Sequence, residues 1–158
     1  MNHSELTQRL QSLPFTANFS ASMLQELAAL AQVRTFARGQ FIFHEGEVQR
    51  ELFLVTRGYV VLEMCVPAGL CTRLLTIGPG ELLAWSAILG EGKMTANAIC
   101  QEDVELIALD GCALLKLCER DPAFGFRFMQ QVALSLSKRL LGTRLQLLDM
   151  FAPPISAE

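Results

Sequence analysis

Side chains that could do catalytic chemistry are few in this 158-residue sequence, and they do not cluster. The chain has two histidines, His3 and His44, which lie far apart. Ser86 has no histidine near it in the sequence, and the residues around it do not form a nucleophile elbow. Because acid–base catalysis needs a positioned acid and base, the sequence predicts a protein that is not an enzyme.

Metal chemistry has equally little support in the residue pattern. His44 stands beside Glu45 and a turn glycine, so we expect an exposed turn residue rather than a metal or haem ligand. No cysteine belongs to a CxxC pair or a Cys/His cluster, so no zinc site is expected. Reduced, mostly buried thiols are predicted, while the positions of Cys65 and Cys71 beside one turn leave a redox pair open. The five cysteines are Cys65, Cys71, Cys100, Cys112 and Cys118.

The composition predicts a folded domain with no general affinity for nucleic acid. Hydrophobic residues make up 51% of the chain and charged residues 18%, which argues against disorder. The formal net charge is −3, and the pI is near 5.4. The sequence shows neither a signal peptide nor an apolar run of about 18 residues, so we expect a cytoplasmic protein without a membrane segment. The length suits one domain, which we place at residues 1–150, with a short tail at 151–158.

Hydrophobic spacing divides the chain into helical ends and a strand-rich middle. Near the N-terminus the spacing is helical, and Pro14 ends the first short helix. Between about residues 33 and 109, apolar residues alternate in short runs separated by glycine-containing turns, which is typical of an antiparallel sandwich or barrel. The clearest hairpin crosses Pro67-Ala68-Gly69. One helical interruption is expected at residues 82–89.

A long helix is predicted at about residues 121–150. Asp121 is a good cap directly before Pro122, which suits the first helical position. The helix would be about 40 Å long and would carry two apolar stripes, of which one can cover the roll while the other needs a partner. A homodimer is therefore predicted. The stripe expected to cover the roll contains Met129, Ala133, Leu136, Leu140 and Leu147. The stripe expected to form the dimer contains Leu134, Leu141, Leu145 and Leu148.

Four stretches resemble the landmarks of a known family in their order and spacing. They are Phe41-Ile42-Phe43-His44-Glu45-Gly46-Glu47, Leu52-Phe53-Leu54-Val55-Thr56-Arg57-Gly58-Tyr59-Val60, Gly78-Pro79-Gly80-Glu81 and Lys138-Arg139-Leu140-Leu141-Gly142-Thr143. Over residues 10–150 the chain resembles the cyclic-nucleotide-binding domain of the catabolite-activator (Crp/Fnr-type) regulators. The resemblance implies an α+β fold with N-terminal helices, an eight-stranded antiparallel β-roll of the jelly-roll type and a long C-terminal dimerisation helix. It also implies a small-molecule effector.

The ligand-binding pattern of that family, G-x-x-F-G-E-[LI] followed by R-[ST]-A, is only partly present. Ala84 replaces a glycine, Trp85 replaces the glutamate that accepts from the ribose hydroxyl, and Met94 replaces the arginine that pairs with the cyclic phosphate. Thr95 and Ala96 match the pattern, so we expect the backbone of the site to be retained. The glutamate and the arginine that select a cyclic nucleotide are absent. Cyclic AMP should then bind weakly or not at all, and no cofactor is expected. The candidate ligand-binding residues are Gly80, Leu83, Ala84, Trp85, Ser86, Met94, Thr95, Ala96 and Thr143.

Several of these residues also have structural interpretations. Trp85 would either stack on a planar ligand or fill the space of a nucleotide, and its size favours filling. Thr143 would contact a ligand or, more commonly, donate to a carbonyl one turn earlier in its helix. Lys138, Arg139 and Arg144 are interpreted as solvated charges in the C-terminal half of the helix, where its dipole favours cations.

The sequence therefore predicts a non-enzymatic, ligand-sensing or regulatory homodimer. Regulators of this family carry a winged helix-turn-helix after the long helix, and only residues 151–158 follow it here, so we expect no DNA binding by this chain. The alternative is the effector domain of a Crp/Fnr-type transcription regulator whose DNA-binding part is absent or truncated. A third hypothesis, a cupin-type enzyme, shares the roll architecture but lacks a histidine-rich metal set.

Overall fold

The computed structural model describes residues 3–151, which begin with a helical cap over one end of a β-roll. Helix α1 spans His3–Ser12 and helix α2 spans Ala21–Leu30, with a single 3₁₀ turn at Pro14–Thr16 between them. The Ser20 hydroxyl accepts a hydrogen bond from the Met23 N–H at 3.3 Å, which caps α2. Leu10 and Leu27 are fully buried, so both helices are anchored by their apolar faces.

The roll consists of two four-stranded antiparallel sheets. One sheet has the strand order β1-β8-β3-β6, and the other has the order β2-β7-β4-β5. The predicted α+β fold class, with its eight-stranded roll, is confirmed. The strands are β1 Ala31–Phe36, β2 Phe41–Phe43, β3 Glu51–Arg57, β4 Val60–Cys65, β5 Cys71–Ile77, β6 Leu82–Leu83, β7 Asn97–Cys100 and β8 Val104–Asp110.

One local prediction for the roll is confirmed, and another is wrong in part. The predicted hairpin joins β4 to β5, and its turn is closed by a 2.9 Å hydrogen bond from the Val66 N–H to the Leu70 carbonyl. The helix predicted at residues 82–89 is wrong for its first part, because Leu82 and Leu83 pair with β3 as strand β6. Only a three-residue 3₁₀ helix, Trp85–Ala87, follows.

Two capped helices complete the chain. The Asp110 carboxylate accepts from the Ala113 N–H at 2.8 Å and caps α3, which spans Gly111–Arg120. The Asp121 carboxylate accepts from the Ala123 and Phe124 N–H groups at 3.1 Å and caps α4, which spans Pro122–Phe151. No helix within residues 3–151 combines the length and the hydropathy that a membrane-spanning segment requires.

The interior contains two hydrophobic clusters. The first joins α1, α2, α3 and the start of α4 to the outer face of one sheet, with Phe124 and Phe128 stacked at 5.8 Å in its centre. The second fills the inside of the roll and includes Phe53, Val55 and Met94. The cassette around residue 84 lies between the two clusters, since Ala84 belongs to the second and Trp85 packs against the first.

Helix α4 packs on the rest of the chain along one face, as far as about Arg139. Phe124, Phe128 and Val132 are buried, whereas every residue from 143 to 151 is exposed. The expectation that one stripe covers the roll is wrong for three of its members, because Ala133 is exposed, Leu140 is 53% and Leu147 is 54% exposed. Ala133 and Leu140 are turned about 100° away from the packed face, since each follows one of its residues directly, and Leu147 lies beyond the packed part of the helix. They add to the exposed surface formed by the four leucines of the predicted dimer stripe, Leu134, Leu141, Leu145 and Leu148.

Candidate functional site

A glycine-containing turn leads into the cassette. The Gly78 N–H donates to the Glu81 carboxylate at 2.7 Å, and the Gly80 N–H donates to the Val55 carbonyl at 2.8 Å. Gly80 has φ +85°, and a Cβ at this position would come within 2.8 Å of Pro14 Cδ. The turn therefore requires glycine for both its conformation and its close contact with the N-terminal helices.

The next backbone feature is a left-handed residue at Ala84. It has φ +61°, and it is the one non-glycine with a positive φ in residues 3–151. Its carbonyl accepts from the Ala87 N–H at 3.0 Å and starts the short helix in which Ser86 is buried. In the family pattern that this cassette resembles, the position is occupied by glycine. Ala84 keeps the left-handed backbone conformation of that glycine, which is less favourable for alanine by about 1–2 kcal/mol.

The second cassette segment alternates between the inside and the outside of the roll. Met94 is 3% exposed, and its backbone is fixed by a 2.8 Å bond from its N–H to the Glu47 carbonyl and one from the Gly46 N–H to its own carbonyl. Lys93 and Thr95 are exposed, as the period of two requires. Met94 therefore places a thioether in the roll interior, and the neighbouring cation at Lys93 points away.

These segments enclose a cavity of about 30 Å³, which we call the cassette cavity. The structure brings seven of the nine predicted residues to it and leaves out Gly80 and Thr143. Gly80 instead lines a groove of about 110 Å³ beside Pro14, and Arg139 lines both this groove and the cassette cavity. The lining of the cassette cavity is Phe43, Leu62, Leu83, Ala84, Trp85, Ser86, Met94, Thr95, Ala96 and Arg139.

Helix α4 contributes Arg139 to the cassette cavity instead of Thr143. The Thr143 hydroxyl is exposed and donates to the Arg139 carbonyl at 2.9 Å, which is the structural alternative expected for it. Arg139 had been interpreted as a solvated charge, and this is wrong, because its Nη2 is buried. Burial lowers the pKa of Arg139, while the nearby Glu81 carboxylate raises it. Arg139 lies one helical turn before Thr143 on the same face, but this spacing does not tell which of the two reaches the cavity.

The cysteines differ from the expectation of reduced, mostly buried thiols. Cys65 and Cys71 face each other across the β4–β5 ladder and are joined by a disulfide. Cys100 and Cys118 are buried or half-buried, and burial raises the pKa of Cys100 to about 11. Cys112 is exposed. Buried thiols of this kind are poor nucleophiles.

Potential metal ligands come together at one place in residues 3–151. Glu63, Cys65 and Cys71 have ligand atoms within 4.8 Å of one another, but both sulfurs belong to the disulfide. His44 lies in an exposed turn, with its Nδ1 3.0 Å from the Glu47 carboxylate and its ring stacked on Phe41 at 4.3 Å. The hydrogen bonds to His44 lower the pKa of Glu47.

Comparison with known proteins gives a consistent family assignment. Residues 33–121 match the profile of the cyclic nucleotide-binding domain family. The "Cyclic AMP receptor protein" of Thermus thermophilus is 34% identical over 116 residues, covering 73% of this chain and 52% of that protein. The CRP-like cAMP-activated global transcriptional regulator of Mycobacterium tuberculosis is 26% identical over 82% of this chain and 56% of its own. The chain thus spans about half the length of these two relatives.

Solved structures agree with this assignment. The catabolite activator protein of Thermus thermophilus superposes with a TM-score of 0.71 at 30% identity, over 87% of this chain and 62% of that one. The N-terminal domain of a transcriptional regulator from Streptomyces coelicolor gives 0.68 at 31% identity, over 82% and 90%. A cyclic nucleotide-binding domain from Methylobacillus flagellatus has the same fold, with a TM-score of 0.81 at 17% identity over 97% and 86%.

Proposed function

Because the chain belongs to the cyclic nucleotide-binding domain family, we propose that it is a non-enzymatic ligand-sensing domain that binds cyclic AMP weakly or not at all. The observation that carries this proposal is the size of the cassette cavity, about 30 Å³. Ligand pockets generally have about 300–1,000 Å³, whereas this cavity has room for one or two water molecules. A nucleotide could enter only if Met94 and Trp85 moved out of their packed positions.

The chemistry of the lining supports the same conclusion. A hydrogen bond to a charged group contributes about 1.5–3 kcal/mol, and Met94 cannot offer one to a phosphate. Trp85 carries an N–H donor and cannot accept from a ribose hydroxyl. The loss of both contacts should weaken binding by about 3–5 kcal/mol, or about two to four decades in the dissociation constant.

Titration calorimetry with cyclic AMP and cyclic GMP tests the proposal. The native chain should give no measurable heat of binding at micromolar ligand, and Trp85→Glu combined with Met94→Arg should gain affinity by at least tenfold. Lys93→Arg is the matched control, because it adds a guanidinium one residue away on the exposed face. A low-micromolar dissociation constant for the native protein would refute the proposal. If the double variant binds cyclic AMP no more tightly than the native protein, the cassette does not correspond to the family pattern residue by residue.

Homodimerisation through α4 is the second part of the proposed function. Leu141, Leu145 and Leu148 are 54–67% exposed in the single chain, and they occur on one side of the helix. A buried leucine contributes about 1.5–3 kcal/mol relative to an exposed one, and a symmetric pair would bury each of them twice. A second copy of the chain is therefore the simplest partner for this face.

A second candidate function is the effector domain of a transcription regulator. The relative from Streptomyces coelicolor supports it, since that structure is the N-terminal domain of such a regulator and covers 82% of this chain at 31% identity. In that case DNA would be contacted by another part of the regulator. For the present chain, the net charge of −3 argues against sequence-specific binding to DNA. We also propose a cytoplasmic location.

A further inference from the structure

Arg139 carries a buried cationic nitrogen that nothing in the described chain satisfies. Its Nη2 is the single buried side-chain nitrogen or oxygen in residues 3–151 without a hydrogen-bond partner. None of the four salt bridges found there includes it. Glu81 lies close enough to attract the guanidinium, but its carboxylate accepts from the Gly78 N–H at 2.7 Å and makes no hydrogen bond to Arg139.

A guanidinium in this position needs an acceptor. Removing a cation from water is unfavourable unless a partner compensates it, and arginine remains protonated in proteins. Burial accordingly lowers the pKa of Arg139, although the group stays charged. An anion in the cassette cavity would compensate the unfavourable free energy of burying the unpaired guanidinium, whereas a neutral ligand would leave most of it uncompensated.

The shape of the cavity limits which anion can enter. It has a volume of about 30 Å³, and its lining also includes Ser86, Thr95 and Trp85, whose hydroxyls and indole N–H are possible donors to an anion. The rest of the lining is apolar. The carboxylate group of a small organic acid can lie beside Arg139 while the rest of the acid extends through the open side of the cavity, whereas a tetrahedral phosphate joined to a ribose needs more space.

We propose that the cassette cavity binds the carboxylate of a small organic acid, with Arg139 as its cationic partner. This inference rests on the proposed function, because it names the ligand class of the same sensing site. Arg139 belongs to α4, and the other lining residues belong to the roll and the cassette. A bound carboxylate therefore ties α4 to the roll at the point where the helix leaves it.

Trp85 gives a direct readout, since it lines the cavity and is the one tryptophan of the chain. The 158-residue chain is titrated with sodium acetate, and the ionic strength is held constant with the sodium salt of a bulky sulfonate buffer that cannot enter the cavity. Native protein should show a saturable change in Trp85 fluorescence together with a rise in Tm, because a ligand that binds the folded state stabilises it. The absence of a saturable change in native protein would overturn the proposal.

Variants assign the effect to Arg139. Arg139→Gln should weaken the acetate response at least tenfold, while Lys138→Gln, which removes the neighbouring exposed cation, should leave it unchanged. Arg139→Lys keeps the charge and should retain a weaker response, so the proposal stays testable even if the glutamine variant folds poorly. Equal acetate responses in native protein and Arg139→Gln would contradict it.

A parallel titration with cyclic AMP separates this inference from the proposed function. A low-micromolar response to cyclic AMP would refute the proposed function. A failure of acetate alone would refute only the carboxylate assignment.

Discussion

The two halves of α4 have similar apolar periodicity but different surroundings. In the first half, Phe124, Phe128 and Val132 are at most 2% exposed and pack against α1, α2 and α3. In the second half, Leu141 and Leu148 are 58% and 67% exposed. The difference shows that leucine spacing alone predicts a helix with apolar faces but does not tell which part of it the same chain covers. Arg139 lies near the boundary between the two halves, where the helix passes the cassette cavity.

The largest expected difference between the halves is in stability. Phe128→Ala should lower the free energy of unfolding by about 3–5 kcal/mol, because it leaves a cavity in the first core cluster. Leu145→Ala should change it by less than about 0.5 kcal/mol, since Leu145 is 54% exposed. Urea unfolding should be measured at a protein concentration where light scattering reports single chains. Similar losses for the two variants would show that the second half is packed within one chain.

The second half should govern assembly instead. Leu141→Asp should weaken the dimer by at least a hundredfold, because it removes one apolar side chain per copy and buries a charge in its place. Gln146→Asp is the control, since it adds the same charge at an exposed polar position on the other side of α4. Light scattering over a concentration series measures both variants. A native mass of one chain at micromolar protein would disprove the dimer, as would an unchanged mass for Leu141→Asp.

The two glycines of α4 provide a smaller and more local comparison. A Cβ on Gly125 would lie 2.7 Å from the Cys118 carbonyl oxygen, whereas one on Gly142 meets nothing within 4 Å. Gly125→Ala should therefore destabilise the protein by about 1–3 kcal/mol. Gly142→Ala should stabilise it by about 0.5–1 kcal/mol, because alanine is the better helix former. Thermal unfolding of both variants checks the signs, and two changes of the same sign would contradict the contrast.

The features that depend on local sequence could be predicted. Asp110 and Asp121 cap their helices through bonds to residues two or three positions away, so the helix starts were readable from the sequence. The hairpin after β4 follows from its turn residues in the same way. These contacts span few residues and need no knowledge of tertiary packing.

The features that depend on distant packing could not be predicted. Leu82 and Leu83 form a strand because β3 offers them partners earlier in the chain, where Leu54 pairs with Leu82 across 28 residues of sequence. The role of Arg139 depends on how α4 is rotated against the roll, and a charged residue in a long helix normally indicates a solvated face. The left-handed Ala84 was also unexpected, because an alanine in the sequence does not indicate a positive φ.

A crystal structure of the native chain grown with millimolar cyclic AMP shows whether the cassette accepts a cyclic nucleotide. We expect no nucleotide density between Trp85 and Met94, with the Met94 side chain still inside the roll, where it is 3% exposed. Crystals of Trp85→Glu with Met94→Arg under the same conditions serve as the comparison. Ordered cyclic AMP in the native cavity, with Met94 displaced to make room for it, would contradict the account.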